Sequence, residues 1–214
     1  MTEETQLISG DQKKIAIKDI LIKNKKSIIF IIVILLIGLF GYFFYIDHKK
    51  NIKIQISEQY NSAIIGYENN NQNSSIEKMR YIIEKRDSTY SPLALYFLLD
   101  NKLLDNKSEI NLYFDLLINE TKLDNEVKNL IIYKKGLYNS ENASEEELLS
   151  IYKPLINNEN LWKSHALYVI AEYFFSKNEK QKSKEFFEKI IEMENSNPQI
   201  KIEAQKRLQR DFSA

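Results

Sequence analysis

Three features of this sequence predict an all-α protein, with a single N-terminal transmembrane helix followed by a solenoid of helical hairpins. Among 214 residues only 5 are Gly and 3 are Pro, too few for the many tight turns of a sheet protein. One uncharged run, Ser27 to Ile46, matches the thickness of a bilayer. Beyond it, polar turn clusters recur at helix-hairpin intervals, with helix-start signals beside them.

Composition also removes whole classes of function. The 30 Lys plus Arg balance 30 Asp plus Glu, so there is no bulk basic field to hold nucleic acid. Without cysteine there is no disulfide framework, thiolate nucleophile or zinc ribbon. A mean hydropathy of -0.40 is polar overall, so most of the chain outside the apolar run is expected to be water-soluble.

The predicted order is a cytoplasmic basic tail (1–26), a transmembrane helix (27–46) and a helical repeat domain (47–214). From Ser27 to Ile46 the chain reads SIIFIIVILLIGLFGYFFYI, twenty residues that would rise roughly 30 Å as a helix. Fifteen of the nineteen residues from Ile28 to Ile46 are Ile, Leu, Val or Phe, each favouring insertion by about 0.3 to 0.6 kcal/mol. Lys13, Lys14, Lys18, Lys23, Lys25 and Lys26 precede the run, whereas Lys49, Lys50 and Lys53 follow it. That six-to-three bias predicts a cytoplasmic N-terminus and an exported remainder. The bulky Gly41 to Asp47 stretch does not resemble a signal-peptidase site, so the anchor is expected to stay. Tyr42 and Tyr45 suit an interfacial belt, and Gly38 and Gly41 have the wrong spacing for a GxxxG pair. Residues 11–26 set five Ile or Leu among six lysines, readable as a basic helix on the inner leaflet or as a plain positive flank.

Residues 47–214 carry 24 basic and 26 acidic side chains. Turn clusters at Glu68–Asn73, Asp87–Thr89, Asp105–Lys107, Asn139–Asn142, Asn157–Asn158, Lys177–Asn178 and Asn195–Pro198 leave segments of helix length between them. Ser74-x-x-Glu77 and Ser144-x-x-Glu147 have capping-box spacing, and Ser91-Pro92 and Asn197-Pro198 put a capping side chain before a first-turn proline. Pro154 predicts a kink or an end at Lys153. Helix starts at Ser91, Asn125, Leu161 and Pro198 are spaced by 34, 36 and 37 residues, the period of a two-helix repeat. The clearest unit pairs Leu161 to Lys177, apolar nearly all round, with Glu179 to Glu194, apolar on one face. Leu93 to Leu99 mark another inner helix, and Leu112, Tyr113, Leu116 and Leu117 its outer partner. The last segment, with Ile200, Ala204 and Leu208 four apart, is the cap of the stack.

Leu167, Ile170, Ala171, Phe174, Ser183 and Phe187 fall at the large, large, small, aromatic, small and aromatic positions of the tetratricopeptide pattern, and Ile190 departs from it. The unit resembles a divergent, tetratricopeptide-like (TPR-like) repeat. The layout as a whole, a short basic tail, one anchor, a helix bearing Tyr60 and divergent repeats, resembles the YfgM-like family of bacterial inner-membrane proteins. Leu161-Trp162-Lys163-Ser164-His165-Ala166, Asn178 to Ser183, and Asn197-Pro198 before a last helix resemble that family's C-terminal repeat. The resemblance implies an ancillary subunit of the Sec translocon that associates with periplasmic chaperones and meets newly exported chains.

No reaction chemistry is predicted. The two histidines, His48 and His165, have no H-x-x-H or H-E-x-x-H partner, and His165 reads as a packed helix residue. Glu145-Glu146-Glu147 read as first-turn residues complementing a helix dipole, and no Walker loop, G-x-G-x-x-G or G-x-S-x-G occurs. No catalytic, cofactor or metal residue is therefore assigned. Among 13 Tyr and 11 Phe, mostly core, Tyr133, Tyr168 and Tyr173 are the inner-face candidates to line a protein-binding groove. The expected role is non-enzymatic protein binding at the periplasmic face of the inner membrane. Expected partners are translocon subunits, chaperones or exported clients, with no nucleic acid and no small-molecule substrate. The alternative is a scaffold for envelope assembly or division with the same fold.

Overall fold

The fold comes from a computed structural model that describes residues 25–212. Lys13, Lys14, Lys18, Lys23 and most of the basic 11–26 stretch lie outside the described residues. The described chain is all-helical, without a strand among the described residues. Its helices are α1 (Lys25–Glu68), α2 (Gln72–Glu84), α3 (Tyr90–Asp100), α4 (Lys107–Glu120), α5 (Asn125–Asn139), α6 (Glu145–Ile156), α7 (Lys163–Ser176), α8 (Lys180–Glu192) and α9 (Pro198–Phe212). Two compact units divide at Gln55/Ile56.

In the first unit α1 leaves Phe30, Leu35, Ile37, Phe40 and Phe44 exposed by more than half. It is long and apolar enough to cross a membrane. The helix does not stop where the apolar run stops. No Gly or Pro falls between Gly41 and Gly66, and the Asn51 amide donates to Asp47 at 3.2 Å across the first polar turn. α1 therefore continues to Glu68, 44 residues in all.

The second unit begins on the last turns of α1, where Ile56 and Ala63 are buried. Its core consists of three clusters in series. The first gathers Met79, Ile82, Leu95, Leu98, Phe114 and Ile131; the second Tyr152, Leu155, Ala166, Ile170 and Phe174; the third Leu167, Ala171, Phe187, Ile190 and Ala204. Ile118 packs against the first two clusters, and Ile156 and Phe186 against the last two. From α2 onward each helix touches the next in sequence, and α5, α7 and α9 also touch one another in succession. As its composition predicts, α7 is covered on several sides, whereas α8 buries only Ser183, Phe187 and Ile190. On α9 Ala204 is buried, with Ile200 and Leu208 packed beside it.

Local signals placed some helix starts and misplaced others. Ser144 caps α6 by accepting from Glu147 N–H at 3.2 Å, and Asn197 Oδ1 accepts from Gln199 and Ile200 N–H before Pro198. Ser74 caps nothing, because α2 starts earlier at Gln72 and Ser74 lies inside it. Ser91 likewise lies inside α3. The Asp87 carboxylate accepts from Thr89 and Tyr90 N–H there, freeing the buried Ser91 hydroxyl to donate to Ile82 O at 2.6 Å. That bond belongs to the α2/α3 pairing, and α3 packs chiefly on α2 rather than on α4 as the repeat period suggested. Nor does α6 end at Lys153. It runs through Pro154 to Ile156, since the proline is exposed and only the last turn follows it. Several helices close with a left-handed residue that is not glycine: Asn70, Arg86, Lys102 and Asn178. At Lys102 and Asn178 the following N–H reaches back five residues, Leu103 to Leu98 O and Glu179 to Phe174 O, both at 2.9 Å.

Candidate functional site

α5 and α7 carry the three tyrosines proposed from sequence, and the fold brings them to one groove. It is open, about 480 Å³ in volume, with Leu137, Val169 and Glu172 among its other walls. Tyr133 comes from the middle of α5, Tyr168 and Tyr173 from successive turns of α7. The three are not equivalent.

Tyr133 is half-buried, and its backbone carbonyl accepts from the Tyr152 hydroxyl at 3.2 Å. The Tyr152 ring fills the space left by the missing side chain of Gly136 one turn further along α5. The position of Tyr133 is thereby tied to the core. Tyr168 packs edge-on against Phe187 at 5.5 Å. Burial first, and then the Glu172 carboxylate, push its hydroxyl up to about 12. Burial raises Tyr133 as well. Both phenols are therefore neutral at pH 7 and present a flat apolar face with a polar tip. Tyr173 is a floor residue: it is 8% exposed and its hydroxyl donates to Ala143 O at 3.2 Å.

Glu172 sits between groove and core. Both its carboxylate oxygens accept from Arg207 on α9, at 2.6 and 2.8 Å, in a fork-to-fork pair. The guanidinium also lies 4.3 Å above the centre of the Phe175 ring. The pair fixes the last helix to the groove wall.

Among the described residues no group of three or more His, Asp or Glu could hold a metal ion. Glu145 lies in the first turn of α6 and receives two bonds from Lys182, at 2.8 and 2.9 Å. His165 packs among aromatics, 5.8 Å from Tyr133 and 5.2 Å from Trp162. His48 stacks on Phe44 in the first unit.

Sequence reasoning missed a second cavity on the other side of Tyr133, at the N-terminal ends of α5, α7 and α9, lined by Glu126, Glu159, Trp162 and His165. Its residues span more than seventy positions, so no local pattern unites them. The single tryptophan was the one available signal. No protein-family model, curated protein or solved structure matches this chain.

Proposed function

We propose that this protein is a membrane-anchored, non-enzymatic docking protein. In this reading residues 56–212 form a TPR-like solenoid whose α5/α7 groove receives apolar or aromatic side chains of a partner segment. The observation that carries it is the convergence of Tyr133, Tyr168 and Tyr173 on one open groove although the first and last are 40 positions apart. Aromatic side chains supply large contact area at low entropic cost, which suits recognition of protein segments. The serial core and the contacts running α5 to α7 to α9 support a stacked-repeat reading.

The apolar run of α1 is the anchor, and the lysine bias supports a cytoplasmic N-terminus with the helical unit on the periplasmic side of a bacterial inner membrane. Confinement to the membrane raises the effective concentration of a membrane-bound partner, so modest groove contacts suffice. The resemblance to the YfgM-like family points to the Sec translocon, its chaperones and its clients as those partners.

A photoreactive amino acid at Tyr168, in the full chain in cells, tests this. The expected result is crosslinking to translocon subunits or exported chains, above the level seen from Glu188 on α8. Equal yields from both positions would refute the groove, and capture of cell-wall assembly proteins alone would move the function to envelope scaffolding. Cleavage of the helical unit by protease added to spheroplasts is the expected topology result; protection would reverse the orientation.

A further inference from the structure

At the N-terminal ends of α5, α7 and α9 lies an open cavity of about 660 Å³ whose walls include Glu126, Glu159, Trp162, His165, Ser196 and Asn197. Its aromatic side is preassembled. The Trp162 indole stacks on Tyr133 with ring centres 5.2 Å apart and 25° between planes, and the His165 ring lies 5.2 Å from the indole.

Three helix N-termini in one place would ordinarily draw an anion. Here several of their donors are already taken. Asp124 accepts from Glu126 N–H at 2.9 Å, Asn160 Oδ1 from Trp162 N–H at 2.9 Å, and Asn197 Oδ1 from Gln199 and Ile200 N–H at 3.0 and 3.2 Å. Two carboxylates, Glu126 and Glu159, add negative charge. Glu159 is paired with Lys163 at 2.5 Å, whereas no ion pair joins Glu126 to a cation among the described residues.

The Glu126 carboxylate is exposed, and a carboxylate only accepts hydrogen bonds. Burial holds the His165 imidazole below its ordinary range, with a hydrogen bond to the Leu161 carbonyl offsetting this in part, so the ring beside the indole is neutral at pH 7. An exposed carboxylate beside a tryptophan and a neutral imidazole calls for a flat cation with several donors. A guanidinium has five N–H donors in a plane and stacks on aromatic faces; an ammonium is a compact point charge with no plane to stack.

We propose that this cavity binds the guanidinium of an arginine side chain on an extended segment of a partner protein, stacked against Trp162 and paired with the Glu126 carboxylate. The inference rests on the docking reading and deepens it. Tyr133 borders the tyrosine groove and backs the indole of the cavity. From Glu126 to Leu137 along α5 is eleven residues, or roughly 16 Å of helix. An extended chain covers that span in about five residues. The partner segment therefore carries an arginine and, about five residues away, an apolar or aromatic side chain for the groove.

Trp162 is the only tryptophan, so its fluorescence reports on this cavity in the intact protein. Detergent-solubilised full-length protein is titrated with acetylated, amidated Gly-Arg-Gly-Gly-Gly-Gly-Leu, and with versions carrying citrulline, lysine or glutamate in place of the arginine. Citrulline keeps the shape and removes the charge. The expected result is a saturable change with the arginine peptide, and binding about threefold to tenfold weaker with citrulline or lysine. Glu126→Gln is expected to weaken the arginine peptide by a similar factor. No saturable signal, equal binding of the citrulline or lysine peptide, preference for glutamate, or an unaffected Glu126→Gln variant would each overturn the proposal. Should Glu126→Gln fail to fold, the four peptides on the unaltered protein decide alone. Loss of the peptide signal with crosslinking from Tyr168 retained would remove the arginine site and leave the docking reading standing; loss of both would remove the docking reading.

Discussion

Gly136→Ala gives the fold its sharpest test, because two physical effects predict opposite signs. Gly136 lies inside α5 at an ordinary helical φ. There alanine is favoured over glycine by about 1 kcal/mol on helix propensity alone. An added Cβ, however, would lie 2.6 Å from Tyr152 Oη and nearer still to Cζ and Cε1. Tyr152 is fully buried in the second core cluster, so its ring has nowhere to swing without opening that core. Overpacking of this kind costs about 1 to 3 kcal/mol. Pulling the hydroxyl off Tyr133 O would add about 1 to 3 kcal/mol for an unsatisfied buried group. Set against the propensity gain, the net is a loss near ~3 kcal/mol. For a unit of roughly 160 residues this lowers Tm by about 6 to 12 °C. Thermal unfolding of the full chain in detergent, followed by far-ultraviolet circular dichroism, measures it. Adding Tyr152→Leu, which removes the obstructing ring, is expected to make the double variant lose less than the sum of the two single losses. A Gly136→Ala variant about 1 kcal/mol more stable than the parent would refute the packing of Tyr152 against α5.

Other perturbations separate neighbouring effects. Gly66→Ala meets the Ser75 hydroxyl at 2.9 Å, which rotates aside at the expense of its bond to Asn71 O, and otherwise only Asn71 O at an ordinary 4.0 Å; stability within about 1 kcal/mol of the parent is expected in the same melt. Lys102→Gly relieves a left-handed residue with φ 52 at the end of α3, and a gain of about 1 kcal/mol by urea unfolding is expected. Arg207→Lys keeps the charge but loses the two-pronged bond to Glu172 and the stacking on Phe175, so a loss of about 1 to 3 kcal/mol by urea unfolding is expected. His165 titrates lower folded than its ordinary 6.5, so below that value the unfolded chain binds more protons. Its contribution is thus present above pH 6.5 and lost as pH falls from there towards the lowered folded value. Tm between pH 7 and 5.5 is expected to fall in the parent and to fall less in His165→Phe, where the new ring still packs against Tyr133 and Trp162.

Much of the helical layout was legible because its causes are local. An uncharged apolar run as long as a bilayer, a serine or asparagine beside a first turn, and an apolar stripe at helical spacing each act within a few residues. Ser144, Asn197-Pro198 and the α7/α8 pair were therefore found where the sequence placed them. Ser74 and Ser91 were misplaced for the complementary reason. Their hydroxyls have several possible partners, and at Ser91 the one chosen is the Ile82 carbonyl of a different helix.

Chain chemistry alone thus determined that this protein is helical, that one helix suits a bilayer, and which aromatic residues stood out. Tertiary packing decided that α3 leans on α2, that Tyr173 became floor while Tyr133 and Tyr168 became wall, and that Glu126 met Trp162, His165 and Ser196. The physical reason is range. Backbone propensity and capping are settled within one turn of helix, whereas a cavity exists only where separate helices agree on their distance, and that agreement is set by buried shapes such as Gly136 against Tyr152.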